Sequence, residues 1–124
     1  MQDLLSTLGT KWCGIGTMAK NDSDFGIMRE TDMCCHQHDT CPARIKWWTE
    51  KYGLFNWHYV DMFLCSCEAA FQSCLKTTRM KERKFSMLLG NGYYNLMPFK
   101  PCFNLQKNKE GKMVGSYGKM PEFP

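Results

Sequence analysis

Residues 34–41 read CCHQHDTC, and the placement of their cysteines and histidine decides the predicted fold. They lie in a segment that starts at Thr31 and Asp32, two residue types that cap helices, and that contains no glycine or proline as far as Cys41. The segment therefore predicts a helix. Cys34 and Cys41 are seven residues apart, so on a helix they lie two turns apart on one face.

A second helix is predicted from Asp61, which can cap it, to about Thr78. One face of this segment has large or acidic side chains at helical spacing, namely Leu64, Glu68, Phe71 and Leu75. Cys67 and Cys74 are again seven residues apart and lie two turns apart on one face. The two helices thus offer two matched pairs of thiols.

The spacing of the cysteines predicts how they pair. Two antiparallel helices bring Cys34 level with Cys74, and in the same register Cys41 meets Cys67. Cys35 points about 100° away from Cys34 on the helix, and a cysteine in the glycine-rich loop upstream is its natural partner. The two cysteines that remain tie down the C-terminal third. The predicted bridges are Cys13–Cys35, Cys34–Cys74, Cys41–Cys67 and Cys65–Cys102.

The composition predicts one exported domain that spans residues 1–124. The chain has 124 residues, of which 44% are hydrophobic and 23% charged, so it can bury a modest core and differs from a disordered protein. No apolar run approaches the roughly 20 residues of a membrane-spanning helix. Eight cysteines, an even number, are typical of a disulfide framework. We therefore expect a secreted, extracellular protein whose export signal has been removed.

Charge is distributed unevenly along the chain. Residues 1–75 carry six basic and nine acidic side chains, whereas the residues from 76 onward carry ten and three, which gives the total of +4. A basic half suits nucleic acid, anionic lipid or an acidic protein, and equally a solvated helix face. Charge alone does not choose among these.

The remaining segments have weaker patterns. Residues 42–60 mix aromatic residues with Pro42 and Gly53 without a period and are predicted as loop. Residues 79–97 look helical, but the run from Gly90 to Gly92 favours a break. Residues 106–124 are rich in lysine and glycine, and we expect them to form a weakly structured tail.

The helix around His38 gathers groups with chemical potential. Cys35, His38 and Asp39 share a helix face, and a bridge to Cys13 brings the loop 12–16 over that face. In the antiparallel register of the helix pair, Glu68 lies diagonally opposite His38. A histidine, two carboxylates and a loop with exposed carbonyl groups are therefore predicted to meet in one place.

These groups suit calcium-assisted hydrolysis. Gly14 and Gly16 can turn backbone carbonyls inward, and the carboxylate of Asp39 completes an oxygen-only ligand set, which Ca²⁺ prefers. His38 is then a candidate general base whose tautomer Glu68 fixes. A covalent route has no obvious nucleophile, because no Gly-x-Ser-x-Gly motif is present and every cysteine has a partner. For the same reason, zinc binding at residues 36–38 is disfavoured.

Two motifs resemble one known family. The loop WCGIG (residues 12–16) and the helix motif CCHQHDTC (residues 34–41) are similar to the calcium loop and active-site helix of secreted phospholipases A2. Their spacing resembles group III, the bee-venom and scorpion type, and the resemblance covers about residues 9–105. It implies a mainly α fold: a disulfide-stapled antiparallel helix pair with a calcium-binding loop, a third helical segment and a small irregular or β C-terminal part.

The resemblance implies an activity and a cofactor. Members hydrolyse the sn-2 ester of glycerophospholipids with Ca²⁺, and the matching ligands here are the backbone carbonyls of Trp12, Gly14 and Gly16 and the carboxylate of Asp39. The backbone N–H of Gly14 matches the oxyanion donor.

The resemblance also implies catalytic roles. His38 would activate water, and the Glu68 carboxylate would orient the His38 side chain. Tyr93 matches the tyrosine that supports this carboxylate. Glu68 stands where the bee-type enzyme has aspartate. The tail after Cys102 lacks the extra cysteine pair of that enzyme.

Partners follow from the same reading. Trp47, Trp48, Phe55 and Trp57 lie in one predicted loop, where they suit a membrane-docking or partner surface as well as a core. A phospholipid membrane surface or micelle is the expected partner, and nucleic acid is not expected. The alternatives are a toxin subunit or receptor-binding ligand that acts through a protein partner and, with less support, a disulfide-rich structural domain without a site.

Overall fold

A computed structural model describes residues 9–13, 19–95 and 101–123. In chain order the elements are α1 (Arg29–Asp39), β1 (Arg44–Ile45), β2 (Glu50–Lys51), β3 (Leu54–Phe55), β4 (Met62–Phe63), α2 (Cys65–Lys76), α3 (Met80–Asn95), β5 (Cys102–Lys107) and β6 (Met113–Gly118). The predicted fold class, mainly α with a small β part at the C-terminal end, is confirmed. None of the helices in the described ranges is long and apolar enough to cross a membrane.

The four disulfide bridges are the four predicted pairs. Cys34–Cys74 and Cys41–Cys67 join α1 to α2, while Cys13–Cys35 ties the N-terminal loop to α1. Cys65–Cys102 connects the start of α2 to β5. The bridges therefore fix the register of the helix pair on which the candidate site lies.

The start of α1 differs from the prediction. The helix begins at Arg29, so Thr31 and Asp32 lie within it and do not cap it. The carboxylate of Asp32 instead accepts the backbone N–H groups of Lys11, Trp12 and Gly26 at 2.7–2.8 Å. Asp32 thus holds the loop that precedes Cys13 against the helix.

A residue of α3 satisfies the first turn of α1. The buried carboxylate of Glu82 accepts the backbone N–H groups of Glu30 and Thr31 at 3.0 and 2.9 Å and the hydroxyl of Thr31 at 2.9 Å. Burial alone would raise the pKa of Glu82, but these hydrogen bonds together outweigh it, so the pKa is lowered. A carboxylate at a helix N-terminus also suits the helix dipole. Glu82 therefore locks α3 to α1.

The second helix begins later than predicted. Residues 62 and 63 form β4, which pairs antiparallel with β1, and α2 runs only from Cys65 to Lys76. Asp61 does not cap α2, because its carboxylate accepts the N–H of Trp47 at 3.0 Å and a guanidinium N–H of Arg44 at 3.3 Å. Strand pairing thus takes the residues that the periodicity had assigned to the helix.

The segments predicted as loop and tail carry strands. Residues 42–60 contain β1 and the antiparallel hairpin β2–β3. The weakly structured tail predicted for residues 106–124 is wrong for the described residues, since β5 and β6 form a six-residue antiparallel ladder. The N–H of Gly115 donates to the carbonyl of Tyr52 at 2.9 Å and joins the two hairpins.

The third helix is continuous. It runs from Met80 to Asn95 through Gly90 and Gly92, where a break was predicted. Its buried face meets α2 around Leu75, Phe71 and Phe123. A second apolar cluster lies under the hairpins around Ile45, Met62 and Phe103.

Candidate active site

His38 and Glu68 form a buried pair between α1 and α2. Nε2 of His38 lies 2.8 Å from Oε1 of Glu68, and the two side chains are 7% and 0% exposed. The antiparallel register of the helix pair predicts this approach. A buried carboxylate is costly unless donors satisfy it, and His38 supplies one of them.

Tyr93 supplies the other donor to the same carboxylate. Its hydroxyl lies 2.8 Å from Oε2 and 3.1 Å from Oε1 of Glu68, and 3.3 Å from Nε2 of His38. Burial, followed by the neighbouring Glu68 carboxylate, holds the pKa of Tyr93 well above its usual value. The phenol therefore stays protonated and donates to Glu68, and the structure brings these three site residues together.

The contact with Glu68 defines the tautomer of His38. A carboxylate only accepts hydrogen bonds, so Nε2 carries the ring proton. In the described part of the chain, the hydrogen bonds of this ring all involve Nε2. Nδ1 thus keeps its lone pair, as a general base requires.

Two phenylalanine rings pack against the imidazole of His38. The centroid of the Phe63 ring lies 4.0 Å from that of His38, and the Phe71 ring stacks with the imidazole at 4.5 Å. Neither ring was predicted to belong to the site. The position of Phe71 could have been predicted from the sequence, since it follows Glu68 by three residues on the same helix face. Phe63 is placed by the β1–β4 pairing.

Tyr94 was also missed. Its hydroxyl donates to the backbone carbonyl of Glu68 at 2.6 Å, so adjacent tyrosines of α3 hold both the side chain and the backbone of one residue. Burial raises the pKa of Tyr94 as well, and its phenol also stays protonated. The sequence signal was the pair of tyrosines itself.

Asp39 presents a carboxylate beside this pair. It is half buried, and burial raises the pKa of its carboxyl to about 7, against the opposing charges of Arg44 and His36. Arg44 donates to the backbone carbonyl of Asp39. Within the described residues the carboxylate itself accepts no hydrogen bond. It is therefore a half-buried carboxyl group without a donor from the described chain.

The loop that ends at Cys13 packs against α1. The Cys13–Cys35 bridge has a Cα–Cα distance of 5.2 Å, and the Trp12 ring meets the edge of His36 with centroids 4.2 Å apart. Trp12 thus lies against the helix that carries Asp39. Gly14 and Gly16, the other predicted ligands, lie outside the described residues.

The described residues contain no group of three or more histidine, cysteine, aspartate or glutamate side chains that could hold a metal. The predicted calcium set has one carboxylate, from Asp39, and three backbone carbonyls. Such a set differs from a side-chain cluster in composition, and Ca²⁺ accepts backbone carbonyls readily.

Residues 6–106 match the family model described as phospholipase A2. The chain belongs to the phospholipase A2 family.

Relatives agree with this assignment. The chain is 35% identical over 101 residues to the group 3 secretory phospholipase A2 of Bos taurus, covering 82% of this chain and 19% of that protein. It is 42% identical over 77 residues to the phospholipase A2 of Xylocopa aruana, covering 62% and 43%. It is 40% identical over 99 residues to the phospholipase A2 large subunit of Chersonesometrus fulvipes, covering 79% and 94%. The chain therefore spans about a fifth of the bovine relative and nearly all of the last.

This phospholipase A2 family member exposes a cluster of aromatic rings away from its core. We call Trp47, Trp48, Phe55 and Trp57 the aromatic patch, and its three tryptophans are 50%, 56% and 67% exposed. The Phe55 ring contacts those of Trp57 and Trp48, with centroids 4.7 and 5.5 Å apart. The tryptophans are thus surface residues, which answers the question that the sequence left open between core and surface.

The backbone beneath the aromatic patch is well fixed. The buried Asn56 donates from its side chain to the carbonyls of Ile45 and Val60 at 3.0 and 2.9 Å. The N–H of Trp48 donates to the carbonyl of Asn56 at 2.9 Å, and Trp48 itself has a φ of 60°. Bulky residues rarely adopt this conformation, so the surrounding hydrogen bonds hold the backbone that carries the exposed rings.

Proposed function

We propose that this chain is a secreted, calcium-dependent phospholipase A2 that hydrolyses the sn-2 ester of glycerophospholipids to a free fatty acid and a lysophospholipid. The observation that carries the proposal is the buried His38–Glu68 pair, whose geometry leaves Nδ1 of His38 available as a base. Family membership supports the reaction class.

His38 transfers the proton, and Glu68 stabilises the charged form of His38. Nδ1 of His38 takes a proton from water as the water oxygen attacks the ester carbonyl, and the imidazolium then returns that proton to the glycerol oxygen as the C–O bond breaks. The Glu68 carboxylate stabilises the positive ring through Nε2, and Tyr93 keeps the carboxylate in place. The Phe63 and Phe71 rings hold the imidazole plane and limit access of bulk water.

The donors present fit calcium. A half-buried carboxyl whose pKa burial raises to about 7 gains from a nearby cation, because a positive charge favours its ionised form. Asp39 would hold Ca²⁺ with the carbonyls of Trp12, Gly14 and Gly16, and the N–H of Gly14 would face the developing oxyanion. Bound Ca²⁺ supplies positive charge that polarises the ester carbonyl.

The aromatic patch is the proposed membrane-docking surface. Phospholipids are aggregated, so an enzyme that acts on them must first bind their surface. Tryptophan rings favour the polar–apolar boundary of a bilayer, and three of them are exposed here in the segments that flank the β2–β3 hairpin. Four disulfide bridges support secretion, because such bridges persist in oxidising compartments.

A protein partner is a second candidate function. The relative from Chersonesometrus fulvipes is named a large subunit, and this chain covers 94% of it. A toxin subunit or receptor-binding ligand on the same fold would act through that partner, with or without hydrolysis.

One assay tests the proposed hydrolysis. Mixed phospholipid vesicles are incubated with the protein in Ca²⁺ and then in excess chelator, and released fatty acid is measured. The proposal expects turnover that the chelator abolishes and Ca²⁺ restores. A well-folded chain that releases no fatty acid in Ca²⁺ would overturn it and favour the partner function.

A further inference from the structure

The last described residues lie across α2 and α3. We call residues 119–123 the C-terminal strap. The side-chain amide of Asn95 donates to the carbonyl of Phe123 at 3.1 Å, and that of Gln72 donates to the carbonyl of Glu122. The Phe123 side chain is 4% exposed and joins the apolar cluster of Phe71 and Leu75. Polar contacts on both helices and one buried ring thus hold the strap.

A glycine of α3 makes room for this ring. A methyl group added at Gly90 would lie far inside contact distance of Cζ of Phe123. Glycine in a helix interior is less favourable than alanine, so its presence needs a reason. The close packing of the Phe123 ring against the backbone of α3 accounts for glycine at this position.

Phe123 also packs on a residue that holds Glu68. Its ring stacks on that of Tyr94, with centroids 5.5 Å apart and planes 8° apart. The Tyr94 hydroxyl donates to the backbone carbonyl of Glu68 at 2.6 Å. The contacts therefore run from the strap through Tyr94 to the turn of α2 that carries the partner of His38.

We propose that the C-terminal strap positions Glu68 for catalysis, with Phe123 and Tyr94 as positioning residues. The inference rests on the proposed function. Proton transfer depends steeply on geometry, and misplacement by about 1 Å can cost about 100-fold in rate. The strap lies outside residues 6–106, so the family match does not include it.

The test compares variants at two sides of one contact. Phe123→Ala removes the ring, and Gly90→Ala displaces it while favouring the helix. Leu88→Ala is the control, since Leu88 lies on the same helix and is 70% exposed. Initial rates on phospholipid vesicles, measured at a temperature well below the Tm of each variant, give kcat and KM. Calcium affinity is measured separately. Phe123→Leu tests rescue by a smaller apolar side chain.

A spectroscopic readout reports the His38–Glu68 pair directly. A buried ring N–H that is hydrogen-bonded to a carboxylate exchanges slowly with water and gives a low-field proton resonance. The resonance is assigned to His38 if it disappears in His38→Gln. We expect kcat to fall about 10- to 100-fold in Phe123→Ala and Gly90→Ala, with this resonance broadened or lost, and KM and calcium affinity unchanged. Phe123→Leu should recover part of the rate, and Leu88→Ala should match the parent.

The positioning role of the strap and the proposed function can be disproved independently of each other. If the parent is active but both strap variants keep its kcat and its low-field resonance, the positioning role is wrong. The same follows if only Tm or KM changes. If the parent releases no fatty acid, the proposed function fails, while the resonance still decides whether the strap orders the pair. Should Phe123→Ala not fold, Tyr94→Phe and Gly90→Ala decide the same question.

Discussion

The Tyr93 hydroxyl lies 2.8 Å from Oε2 of Glu68, on the oxygen that His38 does not contact. One buried carboxylate therefore accepts from an imidazole on Oε1 and from a phenol chiefly on Oε2. This arrangement fixes the carboxylate from both sides and directs Nδ1 of His38 away from it.

Removing the charge of Glu68 should slow the reaction without loss of calcium. Glu68→Gln keeps an oxygen for Nε2 of His38 but no longer stabilises the imidazolium, so we expect kcat to fall about 100-fold. Tyr93→Phe removes one donor and should lower kcat by about 2- to 10-fold. Calcium titration of both variants should match the parent. A large loss of calcium affinity in Glu68→Gln would show that Glu68 belongs to the ligand set.

Calcium binding should weaken in acid because of Asp39. The pKa of its carboxyl is about 7 without a cation, so protons compete with Ca²⁺ as the pH falls below that value. A folded-state pKa above the ordinary 3.8 also means that protonation stabilises the calcium-free protein, and this contribution is lost as the pH rises from about 4 through about 7. The rise in Tm on adding Ca²⁺ should therefore be larger at pH 8 than at pH 5.5.

Asp39→Asn is the matched control for that measurement. It should bind Ca²⁺ weakly, and its small calcium-induced change in Tm should hardly depend on pH. Equal calcium stabilisation of the parent at both pH values would contradict the assignment of Asp39 as a ligand.

The aromatic patch and the basic residues near α3 should respond differently to salt. Arg79, Lys81, Arg83 and Lys84 are all exposed, and each would add about 1 kcal/mol of binding to anionic lipid, screened over about 8 Å at physiological salt. Trp47→Ala/Trp48→Ala should weaken binding to zwitterionic vesicles at all salt concentrations. Neutralising the four basic residues should matter only on anionic vesicles at low salt. Unchanged binding of the tryptophan variant would place the docking surface elsewhere.

Glu82→Gln should destabilise the fold and spare the chemistry. The substituted side chain would offer one neutral acceptor to the first turn of α1 in place of a carboxylate, which costs about 1–3 kcal/mol in the free energy of unfolding. Because the pKa of Glu82 is lowered in the folded protein, its contribution to stability is present at neutral pH. That contribution is lost as the pH falls through the folded-state pKa of this carboxyl. Denaturant unfolding at pH 7 checks this, with Glu50→Gln on the exposed strand β2 as control. Equal stability of the two variants would contradict the role of Glu82.

Much of the scaffold could be predicted from cysteine spacing. Seven-residue intervals fix helix faces, and two such intervals fix the antiparallel register, which in turn places Glu68 beside His38. These are local and periodic constraints, so they can be read from a single sequence.

What could not be predicted depends on contacts distant in sequence. Asp32 and Asp61 look like caps but bind loop backbone and, for Asp61, Arg44 as well. Gly90 lies inside helix α3, where Phe123, far along the chain, packs on it. The C-terminal hairpin follows from pairing with β5, which a disulfide bridge holds. Local composition says nothing about such partners.

His38 tests the central claim most directly. His38→Gln removes the base while its side chain contributes nothing to the proposed calcium set. On mixed phospholipid vesicles in Ca²⁺, we expect this variant to release almost no fatty acid, to retain the parent's calcium affinity and to fold. Fatty-acid release by His38→Gln at the parent's rate would contradict the account.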